Sequence, residues 1–486
     1  MKLLTKRGDT LIVIYDPKSE PLEVGDALEI MEPGGKRGVI AQVADIGPLD
    51  LPGVLTHVIR METIGAPAQV YAEEEFSGIE AKIMNMSHAV CKVRKEIKVS
   101  LDGIKRIEDW SGYSPPRESA IRKIGRAELS KDVIGRVIHR IVVGEDEEGK
   151  EIAIDAYYLQ GVNIIAGKKG TGKSHEAKTI LLGLIDNGAQ AVVFDINDEY
   201  SGLRFKEDGE ESEYHDKLVC LTPGEDLMFT LSYIGLEVFS RALSAIGLPE
   251  TSLLAVRDLW DRLSASITLE NFEEELDSDT SIHSKVRSAI KLRLATLKGS
   301  GVITDDPQEA TRIEDVFSDR LKDGGALIIN LKGQGRLTML ITVQTILSKL
   351  KELLEADKLE RGRIFMFAEE AHFYLEEADW VDIVTLMRHL GLWQFYITNT
   401  PSAIPELIIR QADNLFLFHL DLEDDIRRIA QSRGMDYETA TLMARSMPPR
   451  TFALIGTATS DYPIRLKTIP LSVKTAGETK VFFKKP

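Results

Sequence analysis

Two short stretches of this chain carry residue types that do chemistry together. The first is Gly167-Lys168-Lys169-Gly170-Thr171-Gly172-Lys173-Ser174, which fits the spacing G-x-x-x-x-G-K-[ST]. Glycines so placed let backbone N–H groups curl around phosphate oxygens, and a helix beginning there adds its positive end. Lys173 then reaches the β- and γ-phosphates of a nucleotide, while the Ser174 hydroxyl ligates Mg²⁺. The second stretch is RIFMFAEEAHFYL (363–375), an apolar run ending in two adjacent carboxylates, Glu369 and Glu370. Buried carboxylates are costly unless a metal or a donor meets them. Beside a phosphate loop, one of them supports Mg²⁺ through its water shell and the other polarises the attacking water. Taken alone, the run also reads as a strand entering a solvated helix that begins Glu-Glu, which the helix dipole favours.

Two further polar tips stand at the ends of apolar runs. Asp195-Ile196-Asn197-Asp198-Glu199-Tyr200 follows AVVF; its acids either face the site or cap their own loop. Thr398-Asn399-Thr400-Pro401 ends another run, where amide and hydroxyl groups either sense a γ-phosphate or serve turn chemistry.

The elements that must hold these residues follow from the apolar pattern. VNIIAG (162–167), QAVVFD (190–195), ALIINL (326–331), RIFMFA (363–368), QFYIT (394–398) and NLFLFHL (414–420) are short and mostly apolar. Such runs alternating with helical stretches predict a parallel sheet covered on both faces, an α/β core. A long interruption about 235–320, helix-rich from Val238 to Ser300, predicts a helical insertion. Residues 1–125 differ. Short stretches such as TLIVIYD, ALEIME, RGVIAQVADI, THVIRMET and AKIMNMS, punctuated by Gly, Pro and charged turns, predict a small antiparallel β-barrel or sandwich. SGYSPPRESAIRKIG reads as the linker out of it, with the core running over 126–475 and a tail over 476–486.

The whole chain sets outer bounds. Its 486 residues exceed what one hydrophobic core usually holds. No apolar run approaches the roughly 18 residues of a membrane span, and the start MKLLTKRGDT turns polar too early for a signal peptide. Cys91 and Cys220 stand far apart, in no ligand spacing, as reduced thiols would in a cytoplasmic protein. A formal charge of −17 argues against a generic polyanion-binding coat but says nothing of how basic groups are distributed.

Taken together, these elements resemble the HerA branch of the HerA/FtsK ATPases, hexameric motors on double-stranded DNA. The resemblance rests on GKKGTGKS, VVFDINDEY, AEEAH and MRHLGLWQFYITNTPSAIP, in order over roughly residues 126 to 475. It implies a RecA-like P-loop ATPase core after an N-terminal barrel, with ATP and Mg²⁺ as cofactors. Gly167, Lys168, Lys169, Gly170, Thr171, Gly172, Lys173, Ser174 and His175 then bind the nucleotide, with Ser174 and Glu369 on the metal side. Glu370 becomes the water-activating residue, Asn399 the polar tip at the γ-phosphate, and Arg388 a finger inserted into a neighbouring subunit's site. On the residues alone, Arg388 reads equally as a surface arginine pairing with Asp382 or Glu377. Departures mark a divergent member: Asn399 stands where the family has Gln, Thr400 where Arg is common, and Met387-Arg388-His389 where Gly-Arg-Lys is usual. Gln160-Gly161 replaces a basic residue before the first core strand, and only the family pattern singles out His372.

The resemblance implies a homohexameric translocase or helicase on double-stranded DNA, working with a nuclease such as NurA. Two other roles fit the same residues: an ATPase ring scaffold for a nuclease or sirtuin-like defence effector, or a nucleotide-binding assembly protein with little turnover. For DNA contact the sequence offers Lys285, Arg287, Lys291, Arg293 and Lys298 in the insertion, and Arg117, Arg122, Lys123 and Arg126 at the linker. A solvated helix face and a basic linker explain these equally. The tail KTAGETKVFFKKP reads as a brace on an adjacent subunit or as a frayed end.

Overall fold

The computed structural model describes residues 1–49, 86–146, 148–264, 267–359, 363–375, 377–430, 432 and 437–475. The stretch THVIRMET, most of AKIMNMS and the tail 476–486 lie outside the described residues. The chain divides into two compact units. One comprises Met1–Val137, Gly144–Ile152 and His419–Lys467; the other Ile138–Val143, Ala153–Phe418 and Thr468–Pro486.

The first unit opens with an antiparallel sheet of β1 (Lys2–Arg7), β2 (Thr10–Tyr15), β3 (Ala27–Met31), β4 (Arg37–Pro48), β5 (Ser87–Val99), β6 (Lys105–Asp109) and β7 (Ala120–Ile124). The strand path runs β1-β2-β5-β4-β3-β7, with β6 paired to β5. Alternation in TLIVIY drives Leu11, Val13 and Tyr15 into a core with Leu28, Ile30, Val39, Val43 and Cys91. Antiparallel strands are what the turn rhythm predicts for this segment, and the sheet supplies them. The linker expectation needs correcting, because Ala120–Ile124 pairs in register with β3. Its cations do not forbid a strand here: Arg122 bonds Glu29 and Glu128, and Lys123 meets Asp26 at 2.7 Å. After β8 (Arg140–Glu145) and β9 (Glu151–Asp155), whose residues are shared between the units, the first unit is completed by β17 (Thr451–Gly456) and β18 (Ile464–Lys467), which pair antiparallel.

The second unit is built on β10 (Val162–Ala166), β11 (Gln190–Asp195), β12 (Leu218–Leu221), β13 (Gly325–Asn330), β14 (Ile364–Glu369), β15 (Leu392–Thr398) and β16 (Ala412–Leu417). All of their pairings are parallel, in the order β12-β13-β11-β14-β15-β10-β16. The six apolar runs of the sequence are six of these strands; β12 adds a seventh at the edge. β10, β11 and β14 are buried along their whole length, as strands covered on both faces must be. Register aligns the carboxyl ends: Ala166 opposite Thr398, Glu369 opposite Ile397 and Ala368 opposite Phe194. Beneath those ends Phe367 and Phe395 stack with ring centroids 4.5 Å apart. No helix among the described residues is long and apolar enough to cross a membrane.

The insertion between β12 and β13 includes the helices Leu231–Ala245, Glu250–Leu263, Leu269–Ser278 and Ser284–Lys298. The basic helix Ser284–Lys298 spends most of its cations locally. Lys291 pairs with Asp277 at 2.6 Å and Lys298 with Glu273 at 2.7 Å. Arg287 caps the carbonyls of Leu276 and Asp279, and Arg293 donates to Gly247 O at 3.0 Å. The solvated-face reading therefore accounts for these four side chains.

The stacked Phe367–Phe395 pair sits directly under the polar strand ends, so its loss should be felt throughout this unit. Phe395→Ala is expected to destabilise by about 3–5 kcal/mol, the usual cost of emptying an aromatic core position. Denaturant melts of the full chain measure it, and a loss below about 1 kcal/mol would show that the stack is dispensable.

Candidate nucleotide site

The glycine-rich loop runs from β10 into the helix Lys173–Asp186. Its path depends on two glycines in the left-handed region, Gly170 at φ 81° and Gly172 at φ 119°. Gly167 is fixed by close approach, since a Cβ there would collide with Phe418. Its N–H donates to Thr398 O at 3.3 Å, and Thr171 Oγ1 donates to Lys168 O at 2.7 Å. Lys168, Lys169 and Gly170 are exposed on the rim, Ser174 is half-buried in the first helical turn, and His175 Nε2 lies 2.6 Å from Ile469 O.

Lys173 is only 6% exposed, and its ammonium donates to Lys168 O at 3.1 Å and to Asn399 Oδ1. Burial pushes its pKa down to about 8, against the upward pull of Glu370, Glu369 and Glu199. Asn399 faces both ways. Its Nδ2 and its backbone N–H both donate to Glu370 Oε1, the latter at 2.9 Å, while Thr398 Oγ1 donates to Glu370 Oε2 at 3.0 Å. The site is thus a relay of ammonium, amide and carboxylate across three parallel strand ends. β15 lies between β10 and β14, so the acidic strand is the second neighbour of the phosphate-loop strand and Asn399 fills the gap.

The two glutamates part company at the strand end. Glu369, the last residue of β14, accepts from Tyr200 Oη at 3.0 Å, and its backbone carbonyl accepts from Tyr374 Oη at 3.0 Å. Burial pushes its carboxyl up to about 8, with Glu199 and Asp195 adding to the rise and the Tyr200 hydrogen bond opposing it. Glu370 turns out of the strand in a left-handed conformation, φ 45° and ψ 47°. Its Oε2 also lies 3.7 Å from His372 Nδ1.

Of the acids after β11, Asp195 caps its loop, accepting from the backbone N–H groups of Asn197 (3.2 Å), Glu199 (3.0 Å) and Tyr200 (2.9 Å). Glu199 lies 3.6 Å from Lys178. Arg388 is not brought to this end. It stands before β15, where its guanidinium meets Asp413 Oδ2 at 2.8 Å, a partner that the sequence reading did not include. The same oxygen accepts from Val162 N at 2.9 Å. Lys173, Asn399, Glu369 and Glu370 therefore converge with Ser174 beside them, while Arg388 lies at the amino end of the sheet.

Sequence reasoning includes Thr398 and Tyr200 in its two polar tips without a separate role for either, and it passes over Glu176. A hydroxyl closing an apolar strand and a tyrosine closing an acidic loop are signals of a kind that could have singled out the first two. Glu176 gives no such signal: it sits in the first turn of the phosphate-loop helix, 0% exposed, and neither carboxyl oxygen has a hydrogen-bond partner. Burial raises its pKa well above the ordinary carboxylate range.

The residues fit a nucleotide with Mg²⁺. A buried ammonium faces a glycine turn whose Gly170 has open space around it, and one hydroxyl and one carboxylate flank that turn. Among the described residues no cluster of three acids, histidines or cysteines could hold a metal on its own. Mg²⁺ takes one or two protein oxygens and completes its shell with phosphates and water.

Comparison with known proteins agrees with this geometry. Residues 134–350 match the family model described as the central domain of helicase HerA, a segment that holds the glycine-rich loop and the insertion and ends before β14. VirB4 of Thermoanaerobacter pseudethanolicus superposes at TM-score 0.52 with 15% identity, over 68% of this chain and 96% of that one. The plasmid coupling protein TrwB, in its complex with ADP and Mg²⁺, gives TM-score 0.50 and 13% identity over 73% and 94%. TrwBΔN70 in a trigonal form with sulphate gives 0.50 and 12% over the same shares. At such identities the likeness is one of fold, the RecA-like P-loop core. No curated protein sequence matches the chain.

Glu176→Gln removes a buried charge without changing shape. Its carboxyl has a higher pKa folded than unfolded, so the folded chain holds the proton longer and stability drains away as pH rises above the ordinary carboxylate range. The variant should melt higher than wild type at about pH 8, with the gap closing toward about pH 4. Identical melting curves across that range would show that the carboxyl is solvated. The matched segment, a little under half of the chain, is similar to the HerA central domain, and the strand ends converge on a RecA-like P-loop fold.

Proposed function

We propose that the chain is an ATP-hydrolysing motor on double-stranded DNA, working as a homohexamer with a nuclease supplied by another chain. The observation that carries the hydrolytic part is the Lys173–Asn399–Glu370 relay. Lys173 and the loop N–H groups bind the β- and γ-phosphates, and Ser174 and Glu369 hold Mg²⁺. Bound Mg²⁺ draws charge from the phosphate oxygens. Glu370, held by Asn399 and Thr398, orients a water and takes its proton, while Asn399 reports on the γ-phosphate from between the two strands.

Arg388 supports assembly. β15 spans seven residues, about 20 Å at the usual strand rise, and separates Arg388 from the site in its own chain. A guanidinium so placed reaches a nucleotide only in a second copy, where it neutralises transition-state charge. The partner nuclease and the DNA substrate rest on the HerA likeness. Turnover indifferent to DNA would favour the ring-scaffold role instead, and negligible turnover the assembly role.

The decisive experiment measures ATP hydrolysis with and without duplex DNA for wild type and Glu370→Gln. Wild type should be stimulated by DNA, steeply less so as salt rises. Glu370→Gln should lose about 10²-fold or more in rate, the share of a general base, while still binding nucleotide. Wild-type turnover in Glu370→Gln would remove Glu370 from the chemistry.

A pH series supplies an independent check on Lys173. Its ammonium loses its proton as pH rises through about 8, so binding of a non-hydrolysable ATP analogue should weaken above that point. The fall should reach up to about tenfold per pH unit. Affinity level to pH 10 would mean that Lys173 does not carry the phosphate contact.

A further inference from the structure

The loop after β11 does something that neither the acidic motif nor the family match assigns to it. Asp195 pins the loop's start through three backbone N–H groups. Its far end is pinned too: Lys474 N donates to Phe205 O at 2.8 Å, and Lys206 bridges Val473. The segment that supplies Val473 and Lys474 also meets the phosphate-loop helix, where Ile469 O faces His175 Nε2. Between these anchors Tyr200 is fully buried, with Lys178 Nζ 5.7 Å from its ring centroid, and its hydroxyl donates to Glu369 Oε1 at 3.0 Å.

A tyrosine held this firmly does not wait on solvent. We propose that Tyr200 is a positioning residue for Glu369, with the Asp195–Lys206 loop as the strut that aims this carboxylate at the metal side of the nucleotide. The inference rests on the nucleotide reading above. A carboxylate left with one fixed oxygen presents the other, whereas without the hydroxyl it rotates about its last bond. Outer partners of this kind are worth about 10- to 100-fold in metal affinity.

The test reads binding, not turnover. The full chain is titrated with a fluorescent non-hydrolysable ATP analogue in EDTA and again in Mg²⁺, and the ratio of the two affinities is the Mg²⁺ enhancement. Tyr200→Phe should keep the affinity in EDTA and lose about tenfold or more of the enhancement. Glu369→Ala should lose the enhancement as well, and the double variant should lose no more than Glu369→Ala alone, because Tyr200 acts through that carboxylate. An unchanged enhancement in Tyr200→Phe, or additive losses in the double variant, overturns the proposal. If Tyr200→Phe gives no cooperative melt, Asp195→Asn, which loosens the strut without touching the hydroxyl, must show the same selective loss, and full enhancement there overturns the proposal. A wild type that binds the analogue with no Mg²⁺ enhancement sinks the nucleotide reading along with it. Enhancement in wild type that survives in Tyr200→Phe removes the strut alone.

Discussion

The structure's candidate site depends on one short relay, the buried Lys173 ammonium joined to the Glu370 carboxylate through the Asn399 amide. An ammonium this deeply buried is costly unless an opposite charge answers it. The strand order keeps the two apart, because β15 runs between β10 and β14. An amide is the side chain that spans such a gap: its oxygen accepts from the ammonium and its nitrogen donates to the carboxylate. The short side chain of Asn399 has a physical consequence. It lets the backbone N–H and Nδ2 of one residue share Glu370 Oε1, so the relay is anchored to the strand itself.

Adjacent carboxylates acquire separate surroundings from strand geometry. Successive strand side chains point to opposite faces, so Glu369 and Glu370 would diverge even in a regular strand. The left-handed turn at Glu370 adds to that divergence and directs it toward Thr398 and Asn399. Glu369 is left facing Tyr200 and the loop after β11. The two adjacent carboxylates thus take different hydrogen-bond partners.

Much of this was legible in the sequence, and what was not has identifiable causes. The glycine spacing fixes the loop, since only glycine takes the backbone angles of Gly170 and Gly172 cheaply. Six apolar runs gave six strands, but β12 was hidden because LVCL is too short to show a period. AIRKI was read as linker because its cations disguised a strand, and their partners Glu29 and Asp26 lie far away in sequence. Asp413 was invisible as the partner of Arg388 for the same reason, and so was Tyr200 as the partner of Glu369. The basic character of Ser284–Lys298 was real in sequence, yet its balance by Asp277 and Glu273 appears only once the helices pack. Pairings across strands are the part that spacing along a chain does not encode.

Charge balance around the strand ends favours nucleotide that arrives with its cation. Glu369, Glu370, Asp195 and Glu199 cluster there against Lys173 and Lys178, and Asp195 and Glu199 both hold the Glu369 carboxyl up. A triphosphate alone adds negative charge to a surplus of it, which favours protonation of Glu369 over its use as a ligand. A divalent cation reverses that sign, since its charge outweighs the neighbouring acids at close range and favours the ionised carboxylate. The crowding of acids thus favours the metal-bound nucleotide over the free one.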